Sequence, residues 1–138
     1  MENEALFNSL ILIAEDDPDD ALMLKDAFAE ISQKQVTFLS NGKLLLQFIK
    51  ELEIVDQLPK LVLVDLNMPL IDGRTVIKQL KKNKNTDHIP LVVLSTTRNK
   101  DDIDEVMQLG ADEFFTKPSS FNDLVEITRL ITKKWLIT

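Results

Sequence analysis

Residues 61–66 read LVLVDL, a nearly unbroken run of Leu and Val interrupted by one carboxylate, Asp65. Such a run, too short for a helix, fits a parallel strand covered on both faces. Leu10–Ala14 (LILIA) upstream and Leu91–Ser95 (LVVLS) downstream share its character. Gln35–Leu39 (QVTFL) and Asp112–Thr116 (DEFFT) are more polar and belong nearer the sheet edges.

Between these runs the apolar residues recur at helical spacing. Asp17 can cap a first helix with Pro18 at its N1 position and Asp19 and Asp20 complementing the dipole, and its stripe is Ala21, Leu24, Ala27/Phe28, Ile31. A second follows Ser40-Asn41-Gly42 with Leu45, Phe48, Ile49 and Leu52. A third follows Asp72-Gly73 with Val76, Ile77 and Leu80, before the polar run from Lys81, which reads as a solvated helix end. A fourth carries Ile103, Val106 and Met107 and stops at Gly110, a left-handed C-cap. The fifth starts near Ser120 and carries Leu124, Ile127, Thr128, Ile131 and Trp135. Glu53–Lys60 is the longest irregular connection. Strict alternation of strand and helix means parallel pairing through right-handed crossovers, hence an α/β doubly wound sheet of (βα)5 type. In such sheets the ligand crevice lies at the carboxyl ends of the strands.

Composition narrows the chemistry. The chain has 138 residues, 16 Lys+Arg and 23 Asp+Glu, a net charge of −7, which fits one domain spanning 1–138. The acidic balance argues against a nucleic-acid groove, which needs clustered cations. No cysteine is present, so disulfides, thiolate catalysis and Cys-based metal sites are excluded. The single His88 excludes multi-histidine metal centres and lies in the polar approach to the fourth strand, away from the crevice. No apolar run approaches the ~20 residues of a membrane span, and the N-terminus is acidic where a signal peptide would be basic. The expected location is the cytoplasm, without membrane attachment. No Gly-rich phosphate loop appears.

The carboxyl ends carry a convergent set. Glu15, Asp16 and Asp17 follow the first strand, Asp65 lies near the end of the third, Ser95-Thr96-Thr97 end the fourth, and Lys117-Pro118 follow the fifth. A lone carboxylate in a central strand costs several kcal/mol to desolvate unless paired or metal-bound. Two carboxylates ~4 Å apart repel by ~4 kcal/mol at an effective dielectric of 20, so the cluster invites a divalent cation. An all-oxygen site with few carboxylates and room for water suits Mg²⁺. Metal, ammonium and hydroxyl can each take one oxygen of a transferring phosphoryl group, with Asp65 as nucleophile giving an acyl phosphate. Asp17, Asp19 and Asp20 read as the solvated cap of the first helix, whereas Asp16 lies closer to the strand end than any of these.

Four segments, ILIAEDDPDD, LVLVDLNMPLIDG, LVVLSTT and GADEFFTKP, occur in this order along nearly the whole chain. Together they resemble the receiver domain of two-component response regulators, of the stand-alone type that includes the partners of bacterial phytochromes. The resemblance implies a flavodoxin-like sheet of order 2-1-3-4-5 with two helices on one face and three on the other. It implies Asp65 as phosphoacceptor, Asp16 and Asp65 as Mg²⁺ ligands, Glu15 as a ligand through water and Asn67 through its backbone carbonyl. Ser95 becomes the switch hydroxyl, Lys117 the phosphate-binding ammonium, Phe114 the switch aromatic, and Thr96 and Thr97 modulating positions. Glu15 replaces the commoner Asp, Thr96 stands where Ala is usual and Phe114 where Tyr is frequent. A cis Lys117–Pro118 peptide is also implied.

The expected function is phosphorelay signalling: Asp65 accepts a phosphoryl group from a sensor histidine kinase or phosphotransfer protein. The chain would catalyse only its own phosphorylation and slow dephosphorylation, so it is not a turnover enzyme. An aspartyl phosphatase would need a second carboxylate two residues after the nucleophile, where Asn67 stands. A flavin or nucleotide carrier would need a Gly-rich rim, and a degenerate docking scaffold would not keep Asp16, Asp65, Ser95 and Lys117 together. No output domain is expected after the fifth helix, so output passes to a downstream protein or a homodimer through the fourth helix, fifth strand and fifth helix. The many apolar residues of that last helix, from Leu124 to Ile137, suggest an exposed patch there.

Overall fold

The computed structural model describes residues 10–33 and 35–136. Elements alternate as β1 (Ile11–Ala14), α1 (Pro18–Glu30), β2 (Val36–Leu39), α2 (Gly42–Ile54), β3 (Leu61–Val64), α3 (Gly73–Lys82), β4 (Leu91–Ser95), α4 (Lys100–Leu109), β5 (Glu113–Thr116) and α5 (Phe121–Trp135). The five strands pair in parallel in the order β2-β1-β3-β4-β5. The three apolar runs are the inner strands and are buried throughout, while β2 and β5 are half-buried edges. Their composition follows from that position, because an inner strand has helices over both faces.

Strand residues alternate between two cores. Leu12, Ala14, Val62, Val64, Leu91 and Val93 pack under α2, α3 and α4 through Leu45, Ile49, Val76, Ile77, Leu80 and Val106. Ile11, Ile13, Leu61, Leu63, Val92 and Leu94 pack under α1 and α5 through Leu24, Ala27, Phe28, Leu124 and Ile131. The implied division of two helices against three is therefore present.

Each helix starts where a side chain satisfies its free N–H groups. Asp17 accepts from the N–H groups of Asp19 and Asp20 at 2.8 and 3.3 Å, Asn41 from Leu44, Asp72 from Thr75, Asn99 from Asp101 and Ser120 from Asp123. Gly110 ends α4 at φ 117°, a conformation that strains residues with a Cβ.

Three expectations need correction. Lys81 is not a solvated helix end: its ammonium donates to the carbonyls of Asp87 and Ile89 at 3.1 and 3.0 Å and to Asp112 Oδ2 at 3.0 Å. Asp112 Oδ2 also accepts the Leu91 N–H, so this staple fixes the loops entering β4 and β5. The apolar surplus of α5 is mostly packing surface, because Leu124 and Ile131 are buried and Val125, Ile127, Trp135 and Leu136 lie against the same core. The Trp135 indole N–H donates to Glu113 Oε1 at 2.9 Å, which folds the ring onto β5. Leu130 remains exposed, and Ile137 lies outside the described residues. The helix α2 runs to Ile54, so the irregular connection before β3 is shorter than expected.

Candidate functional site

β3 ends at Val64, so Asp65 is the first residue beyond it rather than part of the strand. Glu15 and Lys117 likewise follow β1 and β5 directly. One further ladder bond fixes each backbone: Glu15 N–H to the Leu39 carbonyl at 3.0 Å, Asp65 N–H to Ala14 at 3.2 Å, and Lys117 N–H to Ser95 at 2.8 Å. Parallel pairing therefore brings the two carboxylates and the ammonium to one rim, and side chains that have left the pleat can turn towards one another.

They do so around Lys117. Its Nζ donates to Glu15 Oε1 at 2.7 Å, Asp20 Oδ2 at 2.8 Å and Asp65 Oδ2 at 3.1 Å. Glu15 is 4% and Asp65 8% exposed, so both carboxylates are largely out of water. Burial pushes the Glu15 carboxyl up to about 7 against the opposing pull of Lys117. Burial alone would lower the Lys117 ammonium, but its bonds to Asp20 and Glu15 overcome this and hold it above the usual lysine range. The lysine is charged at any physiological pH.

Glu15, Asp16 and Asp65 each offer an oxygen, and these oxygens lie within 4.8 Å of one another. Asp16 is exposed, which leaves one side of the set open to water. The donors are hard oxygens carrying up to three negative charges, so they fit a small divalent cation with part of its hydration shell kept. Asn67 is exposed, and its N–H donates to Asp65 Oδ1 at 3.3 Å, which orients the carboxylate. Gly73 lies behind it: a Cβ there would come within 2.5 Å of the Asp65 carbonyl oxygen, so only glycine admits this approach.

Ser95, the last residue of β4, is fully buried, and its Oγ has no hydrogen-bond partner among the described residues. A buried hydroxyl without a partner costs about 1–3 kcal/mol. Phe114 pairs with Val93 across β4 and β5 and packs with the three-helix core. Ser95 shares the parity of Val93, so hydroxyl and ring face the same layer. Thr96 is exposed at the end of β4. Thr97 turns the other way: its hydroxyl donates to Asp102 Oδ2 at 3.1 Å and accepts from the Asn99 N–H, at the start of α4.

The structure thus unites Glu15, Asp16, Asp65 and Lys117, with Ser95 nearby on the neighbouring strand. Sequence reasoning missed Asp20, which was assigned to the helix cap. Asp17 does the capping, and the Asp20 carboxylate instead spans to Lys117. Local sequence held no signal for this, because the partner lies 97 positions away. No cis peptide occurs among the described residues, so Lys117–Pro118 is trans, contrary to expectation. The trans form is favoured by about 0.5–1 kcal/mol, and Lys117 reaches all three carboxylates without turning the bond. A hollow of about 250 Å³ between α1 and α5 starts at Asp20 and Lys117. A larger one, about 770 Å³, lies by the exposed His88 at the other end of the sheet, remote from these groups.

The receiver-domain family of response regulators matches residues 11–129. The chain belongs to that family and is a receiver of two-component phosphorelay signalling. Response regulator Rcp1 of Synechocystis sp. is 29% identical over 141 aligned positions, covering 100% of this chain and 96% of that protein. Its solved Mn²⁺-bound form has a TM-score of 0.76 over 94% of this chain and 96% of that one, at 30% identity. The phosphorylated cyanobacterial phytochrome response regulator RcpA has a TM-score of 0.85 and 29% identity, with 94% and 95% covered. The probable methanogenesis regulatory protein FilR2 of Methanothrix harundinacea is 32% identical over 92% of this chain and 83% of that protein. Among the described residues no helix is long and apolar enough to cross a membrane.

Proposed function

We propose that the chain is a phosphorylation-operated switch in which Asp65 takes a phosphoryl group from a histidine kinase or phosphotransfer protein. One observation carries the reading: the Asp65 carboxylate stands 3.1 Å from a permanently charged ammonium and within 4.8 Å of two more carboxylate oxygens. An Asp65 oxygen attacks phosphorus, the bond from phosphorus to the donor nitrogen breaks, and the imidazole leaves with the electron pair. The product is an acyl phosphate on Asp65. Lys117 gives one hydrogen bond to a phosphoryl oxygen, and the Ser95 hydroxyl, still without a partner, gives another. Glu15, Asp16 and Asp65, with the Asn67 carbonyl, would hold Mg²⁺, which neutralises charge on the phosphoryl oxygens.

Movement of Ser95 towards the phosphoryl group frees space beside Phe114 under α4. The exposed face made by α4, the β5 edge and α5 is then the surface read by a downstream protein or a second copy of the chain. Its support is the shared parity of Ser95 and Phe114 and the half-exposed edge at β5. The phosphoacceptor is tested by incubating wild type and Asp65→Asn with acetyl phosphate and Mg²⁺ and measuring intact mass. The expected result is one added phosphoryl group on wild type and none on the variant. Equal labelling of both would overturn the assignment.

A further inference from the structure

Asp20 is the one partner of Lys117 that stands outside the convergent metal-ligand set, which consists of Glu15, Asp16 and Asp65. Its backbone N–H is already capped by Asp17, and its side chain does not point along the helix axis into water but bonds Lys117 Nζ at 2.8 Å. An ammonium has three protons, and here all three are committed. Glu15 and Asp65 would be drawn away from the ammonium if they held a divalent cation and Asp65 carried a phosphoryl group, whereas Asp20, outside that set, would keep its bond.

We propose that Asp20 is a positioning residue for phosphoryl transfer, tethering Lys117 at the Asp65 rim while the other two acceptors change partners. This rests on the phosphoacceptor reading given above. The tether is a single charge-assisted bond on the rigid first turn of α1, so it fixes the ammonium relative to a helix rather than a loop. Asp20 side-chain exposure of 38% leaves it screened but not dissolved away from the lysine, whose own exposure is 12%. A merely dipole-complementing aspartate at this place would have no partner across the sheet.

The test uses the full chain as wild type, Asp20→Ala, Asp20→Glu and, as control, Asp19→Ala, each checked for cooperative unfolding. Labelling of Asp65 by acetyl phosphate is followed across a Mg²⁺ titration, and the Lys117 Nζ signal is observed by nitrogen-15 NMR with Mg²⁺ present. Asp20→Ala should label about ten-fold more slowly at saturating Mg²⁺ and lose the sharp Nζ signal. Its Mg²⁺ half-saturation should stay within about two-fold of wild type, since no metal ligand is removed. Asp20→Glu should recover most of the rate and the signal, and Asp19→Ala should match wild type.

Equal rates for Asp20→Ala and wild type would overturn the tether. So would a slowing abolished by excess Mg²⁺, which would make Asp20 part of the metal set, or a slowing that Asp20→Glu fails to relieve. Wild type that takes no phosphoryl group at Asp65 would instead remove the phosphoacceptor reading, while the Nζ signal still decides whether Asp20 holds Lys117.

Discussion

Replacing Lys117 by Met removes the cation from the rim while keeping most of the stem. The loss can be sized from the contacts. Glu15 and Asp65 oxygens within 4.8 Å of each other repel by at least ~3.5 kcal/mol at an effective dielectric of 20 once no cation lies between them. Removing one partner of a buried ion pair costs about 3–5 kcal/mol, and the half-exposed Asp20 contact adds no more than about 1 kcal/mol. Urea unfolding of Lys117→Met in EDTA at pH 8 should therefore show a loss of about 3–5 kcal/mol against wild type. At pH 5 the loss should be smaller, because Glu15, which titrates near 7 even beside the lysine, then carries a proton in both proteins. Saturating Mg²⁺ should also shrink it, since the variant lacks the ammonium that competes for Glu15 and Asp65 and so binds the cation more tightly; each ten-fold gain in affinity over wild type recovers about 1.4 kcal/mol. A loss below about 1 kcal/mol would show that Lys117 acts as an ordinary surface lysine. A large loss insensitive to both pH and Mg²⁺ would assign it to packing and refute the electrostatic account.

The Glu15 carboxyl, raised from 4.5 to about 7 in the fold, should make the Mg²⁺-free protein lose about 3 kcal/mol of stability as pH rises from below 4.5 through 7, because the native state binds the extra proton in that window. Mg²⁺ needs the ionised form, so calorimetric titration should find its affinity about ten-fold weaker at pH 6 than at pH 8. Ser95→Ala should leave the unphosphorylated domain unchanged or up to about 1 kcal/mol more stable in urea, since it deletes a buried hydroxyl with no partner, while hydrogen exchange in α4 should no longer respond to phosphorylation. Gly73→Ala should cost at least about 1–3 kcal/mol in urea unfolding and slow Asp65 labelling, because the new methyl meets the Asp65 backbone oxygen.

The architecture was largely legible because burial on two faces leaves a compositional trace. LILIA, LVLVDL and LVVLS are inner strands, and QVTFL and DEFFT are edges, as their polarity required. Helix starts at Asp17, Asn41 and Asp72 and the stop at Gly110 could be read because caps are local chemistry. The convergence of Glu15, Asp16, Asp65 and Lys117 was legible through the rule that strand ends share one rim. What escaped depends on partners distant in sequence. Asp20 looks like any first-turn acid until Lys117 is placed beside it, and Lys81 looks like a helix-end cation until the loops before β4 and β5 meet it. The apolar surplus of α5 could not be divided between core and surface without knowing that Trp135 reaches back to Glu113.

The bond from Lys117 to Glu15 joins residues 102 positions apart, and that to Asp65 spans 52. Parallel pairing makes such closures unavoidable, and they are the slow, late kind of contact in a folding chain. Carboxylates enter the polypeptide first and their ammonium last, after β5. A chain halted before residue 117 during synthesis carries the acidic groups without the counter-ion that organises them. The rim on which the proposed phosphoryl transfer rests is therefore assembled only once the last strand has docked.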